Sequence, residues 1–228
     1  ADEGITLTDF YVSNTACTPS RAALLTGTYA SRIGMDGAVC LAGDTRGLNP
    51  KENTIADVLK TKGYATGCFG KWHLGDQPEF LPLKQGFDEF VGIPYSNDIW
   101  PRHRFNERYN FPPLPFMKAN KVVAHIPDGA SQAVLGSAIT DAAINFIKRK
   151  KEEPFFVYLP YARVHQPRFA RKKWVDQAEG DFTRAQIEEL DDHVGEIMKT
   201  LKTLGISEKT LVMFTSDNGG SGGTSMGP

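Results

Sequence analysis

Four short groups of residues carry side chains suited to chemistry on an anionic substrate. The stretch CTPSRAALLTG (17–27) sets Cys17 one helical turn ahead of Arg21, so thiol and guanidinium share a face if a helix starts there. A thiol in that place can be a nucleophile, a metal ligand or the raw material for another group. Lys71 and His73 stand two apart in KWH. If the chain stays extended, both point one way and Trp72 the other, which makes Trp72 core and the flanking pair site. His165, in VHQP, reads either as a site residue or as a loop histidine held by backbone hydrogen bonds. Asp217 and Asn218, in SDNGG, offer oxygen ligands for a hard cation such as calcium or magnesium rather than zinc. The bland alternative there is an Asx turn.

These groups need elements to hold them. ITLTDFYV (5–12) reads as a strand, and SRAALLTG as a helix closed by Gly27. NTIADVLKTKG (53–63) predicts a short helix with Thr54 as its cap and Gly63 as its stop, and YATGCFG (64–70) a strand. From Pro78 to Asp128 the density of Pro, Asn and aromatic residues predicts long irregular connections of the kind that shape a binding site. Apolar residues then recur at helical spacing over 130–150 and 183–205, with strands expected at PFFVYLPY (154–161) and KTLVMFTSDNGG (209–220). Near-continuous apolar strands alternating with helices predict an α/β domain, a mostly parallel sheet flanked by helices. In open parallel sheets ligands sit beyond the carboxyl ends of the strands, and all four groups fall at such ends.

Composition bounds the alternatives. With 228 residues, 40% of them hydrophobic, and a net charge of -1, the chain can bury a core of one domain or most of one. No sustained basic run marks a nucleic-acid surface. PRHRFNER (101–108), KRKKEE (148–153) and RFARKKW (168–174) read as solvated faces and helix ends, the first being best suited to touch an anionic substrate. Three cysteines, an odd count without scaffold spacing, do not make a disulfide framework. The sequence contains no apolar run of membrane-spanning length, and no leader segment is recognisable in it. Asp191 and Asp192 are adjacent on a helix and do not share a face; His103, His125 and His193 have no cluster around them.

Taken together, CTPSRAALLTG, GYATGCFGKWHLG and FTSDNGG resemble the sulfatase family, the formylglycine-dependent branch of the alkaline phosphatase superfamily. LPLKQGFDEFVGIPYSND (81–98) and FPPLPFMKANKVV (111–123) look like its arylsulfatase A and N-acetylgalactosamine-6-sulfatase group. The resemblance implies an alkaline-phosphatase-like fold and hydrolysis of sulfate esters, a related phosphonate or phosphate monoester hydrolase being the enzyme alternative. It implies that Cys17, in the CxPxR pattern with Pro19 and Arg21, is oxidised by a separate maturation enzyme to formylglycine. The hydrated aldehyde would attack sulfur through one hydroxyl and expel sulfate after losing the proton of the other. By the same resemblance Arg21 steadies the diol, Lys71 binds sulfate oxygens, and His73 assists the second proton removal. His165 would contact sulfate or protonate the departing alcohol. Asp217, Asn218 and residue 17 would hold the metal, calcium in preference to magnesium. By the same resemblance the substrate would be a sulfated small molecule or carbohydrate, and the compartment periplasmic, secreted or lysosomal.

The resemblance also implies parts not found in the sequence. Family members carry an aspartate pair near their first strand, a pattern that Asp2 and Glu3 do not fit, and a lysine after SDNG, whereas no lysine follows Lys209. The expectation is a partial sulfatase catalytic domain over 1–228, incomplete at both ends and lacking the smaller C-terminal subdomain. As an isolated piece it would be inactive or merely anion-binding.

Overall fold

The computed structural model describes residues 4–220. Its centre is β1 (Ala65–Lys71), buried at every position. β1 pairs in parallel with β2 (Glu89–Ile93) on one side and with β5 (Phe155–Tyr158) on the other. Beyond β2 the sheet continues antiparallel through β3 (Leu114–Lys118) and β4 (Lys121–Ile126), giving the order β4-β3-β2-β1-β5. β1 and β5 are the part anticipated from apolar runs, whereas β2 falls within 78–128, read as irregular. The antiparallel extension lies in the segment read as irregular, where a two-residue turn at Ala119 and Asn120, with Ala119 at φ 53, joins β3 to β4.

Side chains of β1 alternate between two cores. Cys68 joins Trp72, Phe87, Phe90, Leu25 and Ala22 on one face. That side carries α1 (Cys17–Thr26) and α2 (Ile55–Lys60). α2 begins with a capping box: Thr54 accepts from the Asp57 N–H, and the Asp57 carboxylate accepts from the Thr54 N–H. Phe69 faces the other way onto Phe146, Ile139 and Ile93. There α5 (Leu135–Lys150) covers β1, and α7 (Phe182–Thr203) packs on α5 and on α6 (Lys172–Gln177). The helix expected over 130–150 is in two pieces, α4 (Gly129–Ala133) and α5. The break falls at Val134, where φ -91 and ψ -4 leave the helical ladder. A single turn, α3 (Asn106–Tyr109), sits in the loop between β2 and β3.

Two expected strands are not strands. Residues 5–12 and 209–220 carry no strand assignment, and their apolar side chains lie open: Leu211 is 85% exposed and Phe214 74%. Among the described residues no strand runs alongside to take their backbone hydrogen bonds, and β propensity alone does not make a ladder. β5 shows the same condition from the other side. It pairs only with β1 among the described strands, and all four of its residues are half-buried rather than buried.

Candidate functional site

The polar groups gather at the carboxyl ends of β1, β2 and β5. Cys17 is the first residue of α1, after an extended Ala16 that supplies no side-chain cap. Pro19 has no N–H and the Ser20 N–H donates to the Ala16 carbonyl at 3.1 Å, so the N–H groups of Cys17 and Thr18, with the positive end of the helix dipole, are the ones free to face an anion. Four residues on, the buried Arg21 guanidinium donates from Nε to Oδ2 of Asp217 at 2.8 Å and from a terminal nitrogen to the Lys71 carbonyl at 2.6 Å. Ser20 Oγ also donates to the Asp217 carbonyl oxygen. One turn of helix thus ties the end of β1 to the segment at 217.

Lys71 is 2% exposed, and its Nζ lies 3.5 Å from Cys17 Sγ. Burial, then the neighbouring Arg21, pull its pKa below the usual lysine value. Gly70 makes room for this strand end. At φ 140 it takes a conformation open to glycine, and a Cβ there would meet the Pro160 carbonyl oxygen at 2.1 Å. That same oxygen accepts from the Lys71 N–H at 2.8 Å.

Trp72 is fully buried, as its alternation predicts; its indole N–H donates to the Phe80 carbonyl at 2.9 Å and its ring meets Phe87 edge-on. The reason for the pairing of Lys71 with His73 differs from simple alternation. β1 ends at Lys71, and His73 takes φ 62, a left-handed conformation that costs a non-glycine residue about 1–3 kcal/mol and persists only when neighbours hold it. Two contacts do so: the His73 carbonyl accepts from Thr18 Oγ1 at 2.8 Å, and its N–H donates to the Pro94 carbonyl at 3.0 Å. His73 Nε2 lies 3.1 Å from the Cys40 carbonyl, which only accepts, so Nε2 carries the proton. Nδ1 is left as a buried lone pair without a partner. Burial, then Lys71 and Arg21, hold this imidazole well below the usual pKa and keep it neutral.

His165, half-exposed, lies beyond β5 with Nδ1 2.5 Å from the Gln166 carbonyl. Burial and then Lys71 lower its pKa. Asp217 feels burial pushing its carboxyl up, but Arg21 and Lys71 outweigh this and leave it below the usual aspartate range. Asn218 Oδ1 is buried without a hydrogen-bond partner, an oxygen of the kind a hard cation takes. The described residues contain no group of three or more His, Cys, Asp or Glu side chains arranged around a metal. The oxygens of Asp217 and Asn218 therefore fit calcium in kind but supply only part of a coordination shell of about 6–8.

Sequence reasoning missed residues beyond β2, because β2 itself was read as irregular. Ser96 is buried with its hydroxyl unpartnered, and Asp98 lies between His103 and His165. Tyr158, half-buried at the end of β5, lies beside Arg21, and burial pushes its phenol up to about 12. The strand-end rule applied to EFVGI would have found Ser96 and Asp98. His193 and Arg171 belong elsewhere, around the buried Glu189 of α7.

A family model described as Sulfatase matches residues 1–227. The chain belongs to the sulfatase family. It is 37% identical to arylsulfatase A of Homo sapiens, over 95% of this chain and 45% of that protein. It is 34% identical to the N-acetylgalactosamine-6-sulfatase of Homo sapiens, over 96% and 44%. This sulfatase-family chain thus spans less than half the length of these relatives. Among solved structures, it is similar to Ps i-CgsB in complex with k-i-k-neocarrahexaose, with a TM-score of 0.77 and 28% identity over 92% of this chain and 49% of that one.

Proposed function

We propose that the protein to which this chain belongs hydrolyses sulfate esters, and that residues 1–228 form part of its catalytic domain. The observation that carries this reading is the meeting of Cys17, Arg21, Lys71 and Asp217 at the start of α1, with Lys71 Nζ 3.5 Å from Sγ and Arg21 bound to Asp217 at 2.8 Å. Sγ marks where the oxygens of a formylglycine at residue 17 would lie. That group, made from Cys17 by a maturation enzyme, supplies a hydrated aldehyde with one hydroxyl to attack sulfur and a second whose deprotonation releases sulfate.

The chain's own residues do the rest. Lys71, a desolvated cation, holds sulfate oxygens with the free N–H groups of α1. Arg21 offsets negative charge at residue 17 and fixes Asp217. His73, neutral with an open Nδ1, takes the proton from the second hydroxyl, and His165 contacts the sulfate or gives its proton to the departing alcohol. Asp217 and Asn218 would lend oxygens to a calcium ion that polarises the ester. The remaining ligands would come from water, substrate or residues outside those described. A sulfated carbohydrate is the favoured substrate, supported by the neocarrahexaose that Ps i-CgsB binds. Formylglycine chemistry and the relatives named point to a secreted, periplasmic or lysosomal protein; among the described residues no helix is long and apolar enough to cross a membrane.

The test is product release by the full-length protein, co-expressed with its maturation enzyme. Inorganic sulfate should appear from sulfated oligosaccharides and an aryl sulfate. Faster turnover of a phosphonate monoester than of any sulfate ester would overturn the assignment in favour of the phosphorus-directed alternative.

A further inference from the structure

Between the candidate acid His165 and the arginine-rich stretch 101–108 sits Asp98, five residues beyond the end of β2. Its two oxygens face two imidazoles. Oδ2 lies 3.7 Å from Nε2 of His103, and Oδ1, buried and without a hydrogen-bond partner, lies 3.9 Å from Nδ1 of His165.

The neighbours of each ring settle where its protons are. The Phe105 backbone N–H donates to Nδ1 of His103 at 3.1 Å, so His103 carries its proton on Nε2, toward Asp98. The Gln166 carbonyl beside Nδ1 of His165 only accepts, so that nitrogen is protonated and Nε2 is the atom left to exchange a proton. Asp98 thus faces an N–H on one side, at 3.7 Å and so by charge rather than by a hydrogen bond, and presents its free oxygen to the protonated side of His165.

We propose that Asp98 is a positioning residue for the hydrolysis, acting through His165. Its carboxylate favours the doubly protonated imidazolium and aims Nε2–H at the leaving alcohol oxygen. This rests on the sulfate-ester reading above. As the bond between sulfur and the alcohol oxygen breaks, its electron pair goes to that oxygen, the Nε2 proton moves onto it, and His165 is left neutral with Nδ1–H in place. Solvent returns the proton. The site needs such a counter-charge. Burial and Lys71 oppose a positive charge on His165, while Asp98, the Gln166 carbonyl and Asp217 favour it.

A general acid matters for poor leaving groups and little for good ones, so the test compares two esters in the full-length, matured protein. With a sugar sulfate, D98A and D98N should lower kcat about 10²-fold, the scale of one lost acid, with KM little changed. With 4-nitrophenyl sulfate, whose alcohol leaves as a stable anion, kcat should fall only slightly. The alkaline limb of the sugar-sulfate profile should move to lower pH in D98N, and H165A and D98A/H165A should be equally impaired. Equal losses on both esters, or losses that multiply in the double variant, would show that Asp98 acts only on folding or independently of His165 and would overturn the proposal. D98N, nearly isosteric, carries the test if D98A does not fold. No sulfate from either ester in the unsubstituted protein would instead refute the functional reading itself, and the inference with it.

Discussion

Replacing Lys71 by methionine should stabilise the fold while abolishing turnover. Lys71 is 2% exposed, lies at the end of a fully buried strand, and has one side-chain hydrogen-bond contact, Cys17 Sγ at 3.5 Å. Its ammonium is lowered in pKa by burial and by Arg21, so the folded state works against its charge. Methionine keeps the length of the stem and removes the buried cation. Exchanges of buried ions for apolar residues are often neutral or stabilising by about 1–4 kcal/mol, and the low end fits here because Cys17, Asp217 and Asp98 partly offset the cost. About 1 kcal/mol corresponds to roughly 2–4 °C in a domain of this size. The neighbouring residue sets the contrast: Trp72→Ala removes a fully buried ring and its hydrogen bond to Phe80 and should cost about 3–5 kcal/mol. Urea and thermal unfolding read both variants, and sulfate release reads activity. Loss of more than about 1 kcal/mol in Lys71→Met, on the scale of a net hydrogen bond, would show that the ammonium holds the fold together and refute the reasoning.

The lowered pKa of His73 links stability to pH. Below the unfolded histidine value of 6.5 the unfolded chain binds a proton that the native imidazole refuses, so stability present above that pH should be lost as pH falls below it. His165 and His193 shift the same way; His73→Asn should flatten the acid slope in denaturant titrations, and an unchanged slope would contradict a buried neutral His73. Glu189, wholly buried, accepts from Arg171 at 2.5 Å and pairs with Arg163 at 3.3 Å. Glu189→Ala leaves both cations uncompensated and should cost about 3–5 kcal/mol by chemical unfolding; a loss below about 1 kcal/mol, the worth of a surface pair, would rule the network out as a brace for the 163–171 loop. The 228-residue polypeptide expressed alone should associate through the exposed apolar residues of 5–12 and 211–214 and bind calcium weakly. A monomer by sedimentation with tight calcium binding by calorimetry would contradict this.

The parallel pair β1 and β5 was legible because YATGCFG and PFFVYLPY are near-continuous apolar runs that sit between clear helical patterns. Thr54 and Gly27 marked their helix boundaries for local reasons, a capping side chain and a left-handed residue at φ 64. β2, β3 and β4 were hidden because EFVGI is short and prolines and aromatics flank it on both sides. The same concealment cost Ser96 and Asp98, which only a recognised strand end would have singled out. The segments 5–12 and 209–220 failed in the opposite sense, since strong β propensity cannot report whether a neighbouring strand is present. Lys71 and His73 were paired by alternation, yet His73 reaches its place through a left-handed backbone that no periodicity encodes. The linking of Arg21 to Asp217, across 196 residues of sequence, follows from topology and not from any local pattern.

The chemical state of residue 17 tests the central claim most directly. Peptide mass spectrometry of the full-length protein, purified with its maturation enzyme present, should find the tryptic peptide spanning residue 17 without its sulfur and reactive toward hydrazides as an aldehyde. Sulfatase turnover should rise in proportion to that modified fraction. Fully active protein that retains a thiol at Cys17 would contradict the mechanism.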